Sequence, residues 1–363
     1  MMKKLNRFQQ ALGQAGIPAA LVTWGTSHFY LTDFFASAAM VVTPEEAWYF
    51  TDFRTIEAAE SHFAGSGVHL TRADQGFMPV VAELAAGLNL KWLAVEDHTL
   101  TVSQYRAWEK ALPCPLRDLG GMLEELRHVK LPEEVQCTIR AQRIVEKSLH
   151  ELLPLIRPGV TEQELVAELV YRFYRNGAQG LAFPVIILSG PNSSLPHGFP
   201  GNRKLCSGDF VTLDIGVKIG GYCSDMTRTF ALGHATHEMC QVYDLVLQAQ
   251  LAGIRAIAPG RTGHDTDKAA RDIIDASAYA GTFGHGLGHS VGLVCHDGLR
   301  AAQNSRDVFS AGNIITMEPG IYLPGQFGVR IEDMVWLSPE GTVNLTEFPK
   351  ELMVVCRNSS DNP

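Results

Sequence analysis

Two alternating hydrophobic periods run along the first third of the chain. Residues 5–15 show helical spacing, whereas residues 19–24, Ala38–Val42 and Ala47–Thr51 are short runs rich in Val, aromatic and small residues, the composition of buried strands. Helical patterns over 54–63 and Phe77–Gly87 then alternate with strand-like 68–71 and 92–95. This alternation predicts a small α/β domain over residues 1–123.

A different pattern begins near residue 131. Leu131, Pro132, Glu133 and Glu134 place Pro and two acids in a first turn, where the ring's fixed φ and the helix dipole both favour a helix start. A helix is predicted from there to Ile156, interrupted near its end by Pro154. The string Leu155-Ile156-Arg157-Pro158-Gly159-Val160-Thr161 is echoed by Ala256-Ile257-Ala258-Pro259-Gly260-Arg261-Thr262. P-G-x-T is a turn followed by an N-cap and recurs by chance, but here both copies lie between helical patterns. They predict a duplicated half-domain within a second domain spanning residues 131–357. With 363 residues, two domains also match the ordinary allowance of roughly 100–200 residues each.

Composition narrows the partners. Hydrophobic residues at 46% and charged residues at 19% describe an ordinary globular protein. A net charge of −9 provides no basic field to hold nucleic acid or an anionic membrane. Cys114, Cys137, Cys206, Cys223, Cys240, Cys295 and Cys356 stand singly, with no C-x-x-C, so neither a disulfide framework nor a zinc knuckle is expected and a reducing cytoplasm is the expected compartment. Asn6, Arg7, Gln9 and Gln10 interrupt any signal-peptide core, and no apolar run reaches the ~18 residues of a membrane span.

Chemistry concentrates in two hairpins. Strand-like 211–217 and 222–227 flank Gly220-Gly221, and Asp214 and Asp225 lie almost equally far from that turn. Antiparallel pairing is expected to bring their carboxylates within a residue or so of opposite each other, where like charges repel unless a cation or proton intervenes. Solvent-facing strand acids are the ordinary alternative. A second hairpin weighs against it: Gly325 is the midpoint between Glu318 and Glu332, which sit in strand-like 313–318 and 329–335. Glu is depleted in strands, so two facing acid pairs call for a shared cause. Between the hairpins, the glycines of Phe283-Gly284-His285-Gly286-Leu287-Gly288-His289 allow imidazoles to converge, and His296 follows. Four carboxylates with imidazole suit two divalent ions with open positions better than a closed structural zinc site. Mn²⁺ or Co²⁺ fits best, Zn²⁺ or Fe²⁺ remains open, and acyl-bond hydrolysis is the natural use. There is no G-x-S-x-G elbow, Walker loop or dinucleotide loop to support another scheme.

The strings LDIGVKIGGYCSDMTRT, GHGLGHSVGL, MEPGIYLPG and GVRIED resemble those of the prolidase and aminopeptidase P family of pita-bread metallopeptidases. That resemblance covers essentially the whole chain. It implies an α/β (α+β) architecture: a creatinase-like N-terminal domain, then a pita-bread catalytic domain with internal pseudo-duplication. It implies Asp214, Asp225, His289, Glu318 and Glu332 as ligands of two metal ions, Asp225 and Glu332 bridging, with a bridging water attacking the peptide carbonyl. Glu318 would shuttle the proton, and His197 and His296 would position substrate and stabilise the oxyanion. His285 would line the pocket, and Arg330, two residues before Glu332 on the same strand face, would orient a carboxylate. Arg300 matches an arginine able to bind a substrate's terminal carboxylate, although Asp297 and Leu299 depart from the family loop. Tyr222 and Thr227 are weaker supporting candidates, and His234, His237 and His264 read as solvated. In the first domain, Asp33 of Tyr30-Leu31-Thr32-Asp33-Phe34 stands where family members often carry Gly, and Thr55 departs from D-x-R-Y.

The expected function is a metallo-exopeptidase cleaving Xaa-Pro bonds in dipeptides or at peptide N-termini, with short peptides as partners and a homodimer implied by the family. A general or methionine-type aminopeptidase, or a non-catalytic pita-bread binding protein, are the alternatives. The intact ligand set and the lack of a basic tail oppose the last.

Overall fold

The computed structural model describes residues 2–356; Met1 and Arg357, the outer limits of the two expected domains, lie outside the described residues. Contacts divide the chain into two compact units, residues 1–127 and 128–363.

The first unit is a six-stranded mixed sheet in the spatial order His69–Arg72, Ala47–Thr51, Ala38–Val42, Ala20–Val22, Leu93–Val95, Leu116–Asp118. The central strands are buried along their whole length, which is why they read as continuous apolar runs rather than as alternation. Lys3–Ala15 is helical and buries Leu5, Phe8 and Leu12 at i, i+3 and i+7. Two further helices, Gly25–Thr32 and Val102–Ala111, carry no clear apolar stripe in the sequence. The former buries Ser27, His28 and Thr32: His28 Nε2 pairs with Val22 O at 2.7 Å and Thr32 Oγ1 donates to His28 O at 2.7 Å, while Ser27 Oγ donates to the distant Glu96 at 2.6 Å. Asp33 ends that helix at φ 55°, the left-handed conformation that favours Gly and that Asp tolerates among L-residues.

The second unit repeats one plan twice. Helix Pro132–Leu152 starts as predicted, with Pro in its first turn and the Glu134 carboxylate accepting Leu131 N at 2.5 Å, and it ends in a 3₁₀ turn, Leu153–Leu155, that contains Pro154. Helix Glu162–Arg175 follows, capped by Thr161, whose hydroxyl accepts Glu164 N at 3.1 Å. The second copy is His237–Ala256 followed by Gly263–Asp275, capped by Thr262, which accepts Asp265 N at 3.0 Å. The glycines of the two P-G-x-T turns have matching φ of 89° and 85°, and their N–H groups donate to Leu205 O at 2.9 Å and Phe309 O at 2.8 Å.

Each helix pair has its own apolar core. One joins Leu149, Leu165 and Phe173 to Ile187, Leu213 and Phe230; the other joins Val246 and Ile274 to Leu287, Ile315 and Val335. These are fully or almost fully buried side chains, each contributing roughly 1.5–3 kcal/mol by leaving water. The strands of the two halves carry the candidate residues: Phe210–Ile215 and Met226–Leu232 in the first, Ile314–Met317 and Asp333–Ser338 in the second.

Candidate metal centre

The first hairpin differs from expectation in register. Gly220 and Gly221, at φ 56° and 80°, are both inside the two-residue turn, as a type I′ turn requires, so Ile219 pairs with Tyr222. That register continues beyond a break in the ladder and sets Asp214 opposite Thr227, two residues past Asp225. The break lies at Gly216, where a Cβ would collide with the Ser224 carbonyl. There the chain leaves one sheet for another, and Asp225 stands outside both ladders, buried, facing a cavity.

The second hairpin has its centre at Gly325. Gly320 pairs with Arg330 and Met317 with Asp333, one unbroken register that puts Glu318 and Glu332 at facing positions. Both fall between the paired segments, where the ladder is interrupted, so their side chains are free to turn inward. Glu318 N donates to Leu287 O at 2.8 Å and Glu332 N to Thr227 O at 3.1 Å, which pins each glutamate to a neighbouring segment.

His289 enters from the short strand Gly288–His289, which passes so close to Thr316 that a Cβ on Gly288 would overlap its backbone carbonyl. Its N–H donates to Thr316 Oγ1 at 3.0 Å, and that hydroxyl donates to Glu318 Oε1 at 3.1 Å. The ring's Nδ1 faces Ser290 O at 3.2 Å, a carbonyl that only accepts, so Nδ1 carries the proton. The Nε2 lone pair therefore faces Glu318 Oε1 at 3.3 Å and Asp225 Oδ2 at 3.7 Å. Donor atoms of Asp225, His289 and Glu332 all lie within 4.8 Å of one another.

A cavity of about 680 Å³ is lined by Asp214, Asp225, His289, Glu318 and Glu332 together with His197, His285, His296, Arg300 and Arg330. The structure thus brings every principal sequence candidate to one place. Tyr222 instead turns away and donates to Glu134 in a short, buried hydrogen bond. Thr227 supports the site from behind, donating to Glu332 Oε2 at 2.7 Å and accepting Arg330 Nε at 3.0 Å. His234, His237 and His264 are exposed.

The electrostatics ask for positive charge. Burial, then the neighbouring Asp214 and Glu318, push the Asp225 carboxyl well up; burial, then Asp225 and Glu318, do the same to Glu332. Burial raises Glu318 to about 7, against the pull of Arg330. Carboxylates packed this closely in an apolar setting must share protons or hold cations. Asp214 Oδ1 is buried with no hydrogen-bond partner among the described residues, while its Oδ2 accepts Arg330 Nη2 at 2.6 Å. Burial lowers His289, keeping it neutral as ligation requires. An oxygen-rich donor set, an orphaned carboxylate oxygen and a neutral imidazole with its lone pair turned inward fit divalent ions.

Three contributors escaped the sequence reading. Tyr322 accepts Arg330 Nη1 at 2.9 Å and donates to His285 Nε2 at 2.9 Å, since His285 Nδ1 faces Gly286 O at 2.8 Å. His285 is held neutral, its pKa lowered by burial to about 4. Phe183 and Phe199, each beside a proline, line the cavity, and Phe199 is 88% exposed. Tyr322 sits in the strand Gly320–Leu323, which is apolar without alternation, and neither it nor the phenylalanines carry a local signal.

Residues 136–339 match the model of metallopeptidase family M24, and residues 4–129 match the creatinase/prolidase N-terminal domain. The chain is 36% identical to an Xaa-Pro dipeptidase of Pyrococcus furiosus over 73% of this chain and 76% of that one. Among solved structures it is similar to an Xaa-Pro dipeptidase from Bacillus anthracis, with TM-score 0.93 and 36% identity over 98% of this chain and 99% of that one. It is also similar to an X-Pro aminopeptidase from Thermotoga maritima, with TM-score 0.89 and 30% identity over 97% and 99%. Among the described residues, no helix is long and apolar enough to cross a membrane.

Proposed function

Because the chain belongs to metallopeptidase family M24 and carries that family's creatinase/prolidase N-terminal domain, we propose that it is an exopeptidase cleaving Xaa-Pro bonds with two divalent ions. The observation that carries this reading is the convergence of Asp214, Asp225, His289, Glu318 and Glu332 on one cavity beside a chain of His, Tyr and Arg side chains. These five would hold the metal. Mn²⁺ or Co²⁺ is favoured, because four of the donors are hard carboxylates. Two such ions supply a water whose pKa falls from 15.7 toward ~7 and positive charge for a developing oxyanion.

The chain's own residues supply the rest. Glu318, half-buried beside His289, takes a proton from the attacking water and returns it to the leaving nitrogen. His197 and His296, exposed on the cavity wall, donate to the substrate carbonyl as charge develops. Phe183 and Phe199 provide apolar walls against which a pyrrolidine ring packs, and the rigid Arg330–Tyr322–His285 chain keeps the floor from relaxing into the space.

Arg300 lines the same cavity from an exposed strand position opposite His289 and is free to pair with a carboxylate. This favours dipeptides. The test is hydrolysis of an Xaa-Pro dipeptide, an Xaa-Pro-Yaa tripeptide and an Xaa-Ala control by Mn²⁺-loaded protein. Preferred dipeptide turnover, with KM raised in Arg300→Ala, is the expected result; preferred tripeptide turnover would make it an aminopeptidase P, and turnover of the Ala control alone would remove the proline requirement.

A further inference from the structure

Cys295 has no part in the chemistry above, yet its thiol lines the same cavity. The segment that carries it is tightly stitched. Ser290 N donates to Leu299 O at 2.8 Å, Asp297 N donates to Ser290 O at 2.9 Å, and Ser290 Oγ donates to Asp297 O at 2.5 Å while accepting Leu299 N at 3.0 Å. Beneath it, the buried pair Lys130–Asp297 holds the loop at 3.4 Å. This loop folds Cys295 and His296 back onto His289, so that the two imidazole rings approach to 3.9 Å between centroids.

The donor atoms of His289, Cys295 and His296 lie within 4.8 Å of one another, and His296 is exposed. Behind the sulfur stands Asp225, whose Oδ2 accepts the thiol at 3.0 Å. One sulfur and two imidazoles with one face toward solvent are a soft donor set, unlike the oxygen-rich cluster next to it. We infer that His289, Cys295 and His296 form an alternative site for a thiophilic divalent cation, Zn²⁺ or Cd²⁺, that competes with the carboxylate centre for His289.

On binding, the Cys295 S–H bond breaks, its proton leaves to solvent, and the sulfur donates its electron pair to the cation. The Asp225 carboxylate adds negative charge behind the sulfur. Occupancy takes His289 and His296 away from their roles in the peptidase, so a thiophilic ion in excess inhibits where Mn²⁺ does not. This consequence rests on the proposed function; the site itself does not.

The test is cadmium titration of full-length, reduced, Mn²⁺-loaded protein in a Cys206→Ser, Cys356→Ser background, since those two thiols are exposed. The reading is the sulfur-to-cadmium charge-transfer band in the ultraviolet, which requires no peptide hydrolysis. The expected result is a saturable band that disappears in Cys295→Ser, which keeps a donor toward Asp225, and in Cys295→Ala, with apparent affinity weakened at least tenfold in His296→Ala. No band in the parent, or an equal band in the Cys295 variants, overturns the inference.

Discussion

Glu96 lies in the interior of the N-terminal unit, 3% exposed, with Ser27 Oγ donating to Oε1 at 2.6 Å and its other oxygen unpaired among the described residues. Burial raises its pKa from 4.5 to about 7, against the Ser27 hydrogen bond. The folded state therefore binds this proton more tightly than the unfolded chain does. The stabilising contribution is full below pH 4.5 and is lost as pH rises through about 7. Replacing Glu96 by Gln, which needs no proton to be neutral, should leave stability near pH 4.5 little changed and raise it at pH 8.5 by on the order of 2 kcal/mol. Denaturant melts at the two pH values check this; an equal effect at both would show that Glu96 is not the titrating group.

Elements matter here chiefly as clamps on loops. Glu162 opens the helix Glu162–Arg175, and its fully buried carboxylate accepts Ser189 N and Oγ at 2.8 Å, Asn192 Nδ2 at 3.0 Å and Gly201 N at 3.0 Å. It thus ties both ends of the segment that presents His197. In the second half, Asp267 does the same for the glycine-histidine segment, accepting Leu287 N at 3.0 Å and pairing with Arg271, which in turn donates to Phe283 O and His285 O, each at 2.6 Å. Glu162→Ala leaves buried N–H groups unpaired at a cost of roughly 2–3 kcal/mol. It should also lower kcat/KM by roughly ten- to a hundredfold by displacing His197, while metal content stays at the wild-type level. Parallel melting, kinetics and elemental analysis separate these effects, and loss of metal would assign Glu162 to the centre itself.

The clamps also mark what was legible in the sequence. Glu318 and Glu332 could be placed opposite each other because a symmetric hairpin fixes its partners by counting from Gly325. Asp214 and Asp225 were expected within a residue or so of opposite each other, but they stand unequally far from the Gly220-Gly221 turn, and the register it sets puts Asp214 opposite Thr227 instead. Helix Gly25–Thr32 gave no signal because Ser27, His28 and Thr32 are buried alongside Tyr30 and Leu31, so no apolar stripe stands apart from a polar face. Cys295 and Phe199 reach the cavity, and Tyr322 reaches its lining residues His285 and Arg330, only through tertiary folding, which leaves no periodicity along the chain.

Across the catalytic unit, Asp214 and Asp225 belong to the first of the two repeated halves and His289, Glu318 and Glu332 to the second. Each half has its own apolar core, so the acidic centre between them is where repulsion would part them and a bound cation would join them. Ions that bind only the folded form at a hundred times their Kd add about 2.7 kcal/mol. Removing them should lower Tm by roughly 5–10 °C in a unit of this size. Differential scanning calorimetry with and without chelator checks this, and an unchanged Tm would separate the centre from the stability of the unit.

The most direct test of the whole account is a titration of metal-free protein with Mn²⁺, following the initial rate of Xaa-Pro dipeptide hydrolysis against ions bound per chain. The account predicts no activity without metal, a rise that ends at two ions per chain, and neither activity nor two-ion binding in Asp225→Asn. Full activity in the metal-free protein, or in Asp225→Asn, would contradict it.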